Sequence, residues 1–188
     1  MRIGLFGGTF DPIHFGHILA AKYSMEQLLL DQVLFIPAGN PYLKDTNKLS
    51  SSLHRLQMVK LAISKYPEFE VSDIEILRNG PSYTIDTIRQ LDRSDNELVL
   101  IFGSDVISQM NQWKEIDLLF NTVSVVFINR HAKQHTLFHQ NAKFIDLPTP
   151  NISSTEIRYR ISALLPVEDY LPTEVIRYID MNNLYKTF

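Results

Sequence analysis

The chain has no cysteine, which excludes disulfide frameworks, zinc ribbons, iron–sulfur ligation and a thiol nucleophile. A reducing, cytoplasmic setting is expected. Nowhere does the sequence approach the ~20 consecutive apolar residues that a bilayer span needs. The opening MRIGLFGGTF also lacks the apolar run and small-residue cleavage site of a signal peptide. A soluble protein with no membrane partner is expected. Positive charge is not in excess: 18 Lys and Arg stand against 21 Asp and Glu, a formal net charge of −3. That balance argues against a broad basic surface, so no polynucleotide partner is expected. Internal repeats, low-complexity stretches and long linkers are missing too.

What is present is an apolar fraction of 45% in 188 residues, enough for a substantial core and near the usual size of one domain. A single domain over 1–188 is expected. Short β-rich runs alternate with segments of helical period. Candidate strands are Arg2 to Phe6, Gln32 to Ile36, Glu70 to Leu77, Glu97 to Phe102, Val123 to Ile128 and Phe144 to Leu147. Between them Ile18, Ala21, Met25 and Leu28 mark one helix, Leu56, Val59 and Ile63 a second, and Ile85, Ile88 and Leu91 a third. Such alternation predicts an α/β fold: a Rossmann-like, doubly wound, mostly parallel sheet with helices on both faces. This core should occupy about 1–150, followed by C-terminal helices over about 151–188. The sequence SSTE at Ser153 to Glu156 predicts a capping box opening a helix that carries Ile157, Ile161 and Leu164 and stops before Pro166. A last helix is expected over Thr173 to Met181. Two polar loops stand out, Ala38 to Ser52 and His131 to Lys143.

The most informative stretch is GLFGGTFDPIHFGH, residues 4–17. A buried strand delivers the chain to Gly7 and Gly8, where backbone N–H groups can approach a ligand closely. The helix opening near His14 then aims its positive dipole end at the same place. Anions suit such a turn, and it leaves strand one at the sheet edge where parallel sheets bind ligands. His14 and His17, three apart, can face one side and donate to phosphate oxygens. A two-histidine metal site would want ligands beyond nearby Asp11, and histidines that merely cap or pack the helix are the plainer alternative. Neither the Walker A nor the G-x-G-x-x-G pattern is present.

GGTFDPIHFGH resembles the H-x-G-H signature of the nucleotidylyltransferase superfamily, α/β enzymes that move a nucleotidyl group from a nucleoside triphosphate. Four further segments resemble the bacterial nicotinate-nucleotide adenylyltransferases in order and spacing: GPSYTIDT (80–87), GSDVISQMNQW (103–113), ISSTEIR (152–158) and LPTEVIRYIDMNNLY (171–185). The resemblance covers essentially the whole chain. It implies AMP transfer from ATP to nicotinate mononucleotide, giving nicotinate adenine dinucleotide and pyrophosphate. A sister enzyme acting on nicotinamide mononucleotide or phosphopantetheine, or a nucleotide sensor without catalysis, are the alternatives.

On this reading Gly7, Gly8, Thr9, Phe10, His14 and His17 meet ATP. Gly103, which permits close approach, and Asp105, an acceptor for ribose or base, belong to the adenosine. Ser153, Ser154 and Thr155 at a capped helix start, with the Arg158 fork one turn in, suit the phosphates. His14, His17 and Arg158 are the expected catalytic residues. GPSYTIDT offers a turn at Gly80 and Pro81, an N-cap at Ser82 and free N–H groups beyond it. The resemblance assigns Thr84, Ile85 and the Lys114 backbone to the nicotinate carboxylate, with the Lys114 charge nearby. Trp113, the sole tryptophan, is the implied platform for the pyridinium ring. Lys44 and Arg130, each in a polar loop after a strand, complete the mononucleotide set, although Asn40-Pro41-Tyr42-Leu43-Lys44 departs from the family's pattern. No dedicated metal site is expected, and Mg2+ should arrive with ATP. His131, His135 and His139 are expected in a solvated loop. A homo-oligomer is neither required nor excluded.

Overall fold

The computed structural model describes residues 1–92, 95–129, 139–147 and 152–186. Six strands, β1 (Arg2–Gly8), β2 (Gln32–Pro37), β3 (Phe69–Val71), β4 (Glu97–Gly103), β5 (Ser124–Asn129) and β6 (Ala142–Asp146), form one sheet in the order β3-β2-β1-β4-β5-β6. All five pairings are parallel. The order runs outward from β1 in both directions, so the strand sequence reverses between β1 and β4. A crevice at that reversal, beyond the carboxyl ends of the strands, is where doubly wound sheets hold ligands.

The helices are α1 (Phe15–Leu28), α2 (Ser52–Ile63), α3 (Ile74–Leu77), α4 (Thr84–Leu91), α5 (Ile116–Thr122), α6 (Ser154–Ser162) and α7 (Thr173–Met181), with a 3-10 helix at Ser104–Gln112. Side chains alternate across the pleat, so ELVLIF builds two cores at once. Val99 and Ile101 join Phe35, Met58, Ile157 and Val175 on one face, beneath α1, α2, α6 and α7. Leu98, Leu100 and Phe102 join Ile85, Ile88 and Leu119 on the other, beneath α4 and α5. Among the described residues no helix is long and apolar enough to cross a membrane.

Three expectations are corrected. The first is the third strand: instead of running over Glu70 to Leu77 it stops at Val71, and Ile74–Leu77 is helical. Pairing with β2 covers only Phe69 to Val71, although β2 itself runs on to Pro37. The Ser72 hydroxyl then accepts from the Ile74 N–H (3.3 Å), while Ile76 and Leu77 donate to the Asp73 carbonyl (2.8 and 2.9 Å). A polar Ser-Asp pair thus offers the backbone a local alternative to the ladder. The second concerns β1, which continues past Phe6 through both glycines, pairing Gly7 with Ile36 and Gly8 with Pro37. A Cβ on Gly8 would stand 2.7 Å from the Phe10 ring, so only glycine lets the chain fold back so tightly. The third is Leu164, which does not extend the apolar face of α6. It adopts a left-handed φ of 55° in a Schellman turn, with Leu165 donating to the Arg160 carbonyl (2.8 Å) and Leu164 to that of Ile161 (3.1 Å).

Candidate active site

A cleft of about 510 Å3 opens at the reversal point of the sheet, a size and position usual for small-molecule sites. Its floor is the end of β1. Beyond Gly8 the chain turns through Phe10, a bulky residue at a φ of 51°, and a cis Asp11–Pro12 bond before entering α1. His14 is the N-cap of α1, with an extended backbone (φ −146°, ψ 171°). Its N–H donates to His17 Nδ1 (3.3 Å), and the two rings stack with centroids 3.7 Å apart. The histidines therefore share one face, as their spacing predicts, and also cap the helix, as the plainer alternative had it. Because His17 Nδ1 accepts, the neutral ring carries its proton on Nε2 as a donor. Edge contact with Phe10 (5.1 Å) fixes the ring further.

The start of α6 docks directly on this loop. Ser154 Oγ donates to the Pro12 carbonyl (3.0 Å) and Arg158 Nη1 to that of Asp11 (2.7 Å), while Arg158 Nη2 reaches Thr155 Oγ1 (3.3 Å). Ser153 caps the helix by accepting from the Glu156 N–H (3.1 Å). Glu156 does not complete the box in return, because its carboxylate accepts from Arg160 one turn on (3.3 Å). Two donor-rich helix starts, far apart in sequence, thus line one cleft.

Gly7, Gly8, Thr9, Phe10, Gly103, Asp105, Trp113, Thr84 and Lys44 line the same cleft. Asp105 is exposed at the start of the 3-10 helix. Trp113 closes that helix and packs T-shaped on Phe102 (5.1 Å between centroids). Lys44 lies within electrostatic reach of Asp105, Arg158 and Asp11. Ile85 has its side chain in the core, so only its backbone belongs to the helix start. Lys114 is not among the lining residues; its Nζ is paired with Asp86 (2.9 Å) and lies 5.0 Å from the centre of the Tyr83 ring. Arg130, His131 and His135 lie outside the described residues. His139 stacks on Phe120 (4.3 Å).

Ser82 is not the N-cap of α4; Tyr83 is. The Ser82 hydroxyl instead accepts from the Asn40 N–H (3.0 Å), while its own N–H donates to the Asn40 carbonyl (2.9 Å). This two-way bond stitches the loop after β2 to the start of α4, where Tyr42 and Tyr83 meet (4.8 Å between ring centroids).

Sequence reasoning missed three buried polar residues. Arg55, 2% exposed, donates to the carbonyls of Thr9 (2.8 Å), Ser50 (3.1 Å) and Gly39 (3.3 Å). Its sign was available, since it falls on the buried face of α2 with Val59 and Ala62. Asp11, also 2% exposed, accepts from the Ser50 N–H (3.4 Å) and the Tyr185 hydroxyl (2.6 Å). Glu75 was hidden by the strand expectation. From α3 it reaches the cleft and accepts from Thr87 Oγ1 (2.7 Å), with Arg78 Nη2 at 3.8 Å. A Cβ on Gly39 would run into the Glu75 carbonyl, so this approach requires glycine.

Burial pushes the Glu75 carboxyl above the ordinary carboxylate range, against the downward pull of hydrogen bonds from Thr87 and Ser82 and the charge of Arg78. A raised folded-state value means that the native state holds this proton more tightly than the unfolded chain. Stability from this group is therefore full below about 4.3 and is lost as pH rises through the folded value. Glu75→Gln removes that slope: urea denaturation across pH should show the variant gaining on the parent as pH rises, and parallel profiles would contradict it.

Comparison with known proteins agrees with this geometry. Residues 5–160 match the cytidylyltransferase-like family. The chain is 41% identical over 188 residues to a probable nicotinate-nucleotide adenylyltransferase of Bacillus licheniformis, covering 99% of each. It is 37% identical over 198 residues to another of Carboxydothermus hydrogenoformans, covering 98% of each. The fold is shared with the Plasmodium falciparum nicotinic acid mononucleotide adenylyltransferase complexed with NaAD, at a TM-score of 0.79, 22% identity and coverage of 98% and 97%.

Proposed function

Because the chain belongs to the cytidylyltransferase-like family and, within it, to the nicotinate-nucleotide adenylyltransferases, we infer the following reaction. AMP passes from ATP to nicotinate mononucleotide, giving nicotinate adenine dinucleotide and pyrophosphate, a step of NAD biosynthesis. The observation that carries this reading is the docking of Ser154 and Arg158 on the Asp11 and Pro12 carbonyls, which joins two anion-binding helix starts in one cleft.

A phosphate monoester has a second pKa near ~6 and is largely a dianion at neutral pH, so it attacks without a general base. Its oxygen bonds to the α-phosphorus of ATP in line as the bond to the β-phosphate oxygen breaks, and pyrophosphate leaves with that electron pair. The protein positions and neutralises. His14, His17 and Arg158 hold the triphosphate and the departing charge, with Lys44 beside them. Gly103 and Asp105 take the adenosine. Trp113 supports the nicotinate ring, and the α4 start takes its carboxylate through the Thr84 and Ile85 amides, with the Lys114 backbone alongside. Since Asp86 already neutralises the Lys114 side chain, recognition of the acid rests on backbone N–H groups.

Mg2+ carried with ATP would supply further neutralisation of phosphate charge. The cleft's amides, imidazoles and guanidinium suit the anionic triphosphate that would carry the ion. A cysteine-free chain acting on ATP fits the cytoplasm.

Pyrophosphate release compared between nicotinate and nicotinamide mononucleotides tests the assignment. The acid should be preferred; equal or better use of the amide overturns it, and ATP binding with no turnover of either favours a sensor. Trp113→Ala should raise KM for nicotinate mononucleotide about tenfold, the order expected from losing one ring-stacking contact, with KM for ATP unchanged.

A further inference from the structure

Tyr185 has no part in the chemistry just described, yet it touches the loop on which that chemistry depends. After α7 the chain makes a Schellman turn, with Asn183 at a φ of 51°, Asn183 donating to the Asp180 carbonyl (3.2 Å) and Leu184 to that of Ile179 (3.0 Å). The turn sends Leu184 and Tyr185 back against the core beneath α1 and α2. Tyr185 itself is held at a φ of 64°, a conformation that a bulky L residue rarely adopts. Its hydroxyl donates to Asp11 Oδ1 (2.6 Å) and lies 3.9 Å from Met58 Sδ.

Asp11 lies in the turn between β1 and α1, separated from the His14 cap by Pro12 and Ile13. Its carboxylate is buried and accepts on one side from Tyr185 and the Ser50 N–H, while its carbonyl accepts from Arg158 on the other. The residue before it, Phe10, is also left-handed, and its ring abuts His17. Two strained backbone positions, Phe10 and Tyr185, thus flank one short hydrogen bond. Strain of this kind persists only where surrounding contacts enforce it, and it clusters at functional loops.

We propose that Tyr185 is a positioning residue: through Asp11, its hydroxyl holds the Phe10–Asp11 turn so that His17 and Arg158 are registered on the same triphosphate. The inference rests on the adenylyltransfer reading above. It assigns to the turn after α7 a part in the reaction without contact with substrate.

Tyr185→Phe keeps the ring that packs on the core and removes only the oxygen. In this variant kcat with nicotinate mononucleotide should fall about tenfold or more, as expected when a catalytic group is displaced by a fraction of an ångström. KM for nicotinate mononucleotide and the stoichiometry of a non-hydrolysable ATP analogue, read by calorimetry, should stay at parental values. The ring 1H–15N signals of His14 and His17 should shift. In an Asp11→Ala background the same change should cost nothing further, because the hydroxyl acts through that carboxylate. Parental kcat, unshifted histidine signals, or a loss of kcat that only tracks lost binding stoichiometry would each overturn the proposal. A parent protein that ignores nicotinate mononucleotide while Tyr185→Phe still shifts the histidine signals would sink the substrate assignment and leave the positioning role standing.

Discussion

Replacing His17 with alanine should lower kcat by about 10²-fold or more, the usual cost of removing one preorganised donor from a developing negative charge. The geometry makes this more than a count of donors. Nδ1 of His17 accepts from the His14 N–H, so the neutral ring carries its proton on Nε2. Alanine removes both functions, and loss of the cap alone costs about 1 kcal/mol of stability. His17→Asn separates the two, because an asparagine oxygen stands where Nδ1 stood and can still accept from His14. If donation to phosphate is the catalytic role, asparagine restores the melting temperature and leaves kcat low. Recovery of kcat along with stability would reduce His17 to a helix cap.

The second large effect belongs to Arg55. Arg55→Met keeps most of the side-chain volume but leaves the carbonyls of Thr9, Ser50 and Gly39 without their common donor in a buried place. Each unsatisfied buried acceptor costs about 1–3 kcal/mol, and the Asp11 carboxylate loses a nearby positive charge. A destabilisation of about 3–5 kcal/mol is expected, since partial relaxation and water entry offset some of the sum. Urea denaturation should show it as a lower midpoint at unchanged m. A shift below about 1 kcal/mol would mean that the three loops hold their places without the guanidinium. Because those loops carry Thr9, Lys44 and the approach to Asp11, activity should also fall at temperatures where the variant is still folded.

Much of the architecture was legible because it follows from periodicity. The apolar run ELVLIF has the pattern of a central parallel strand and forms β4, and α7 occupies Thr173–Met181 as expected. The loop at residues 7–17 was legible for another reason: glycines, a helix start and two histidines at one spacing point to one kind of ligand. What stayed hidden was polar and fixed by a partner from elsewhere in the chain. Glu75 sits in a stretch whose apolar residues read as strand, and the local hydrogen bonds of Ser72 and Asp73 that divert it into α3 leave no mark in that pattern. Lys114 resembled a charge held ready for a substrate, but Asp86, twenty-eight positions earlier in the chain, claims it. Ser82 had the right type for a cap and was drawn away by Asn40. Each of these depends on a partner brought near by folding, which residue type and local spacing do not encode.

The docking of Arg158 on the Asp11 carbonyl spans 147 positions in the chain, and the Tyr185 bond to the Asp11 carboxylate spans 174. Contacts of such separation carry the largest loop-closure entropy. The cleft is therefore closed by segments near the two ends of the chain, and lifting α6 or the turn after α7 away from Asp11 would open it.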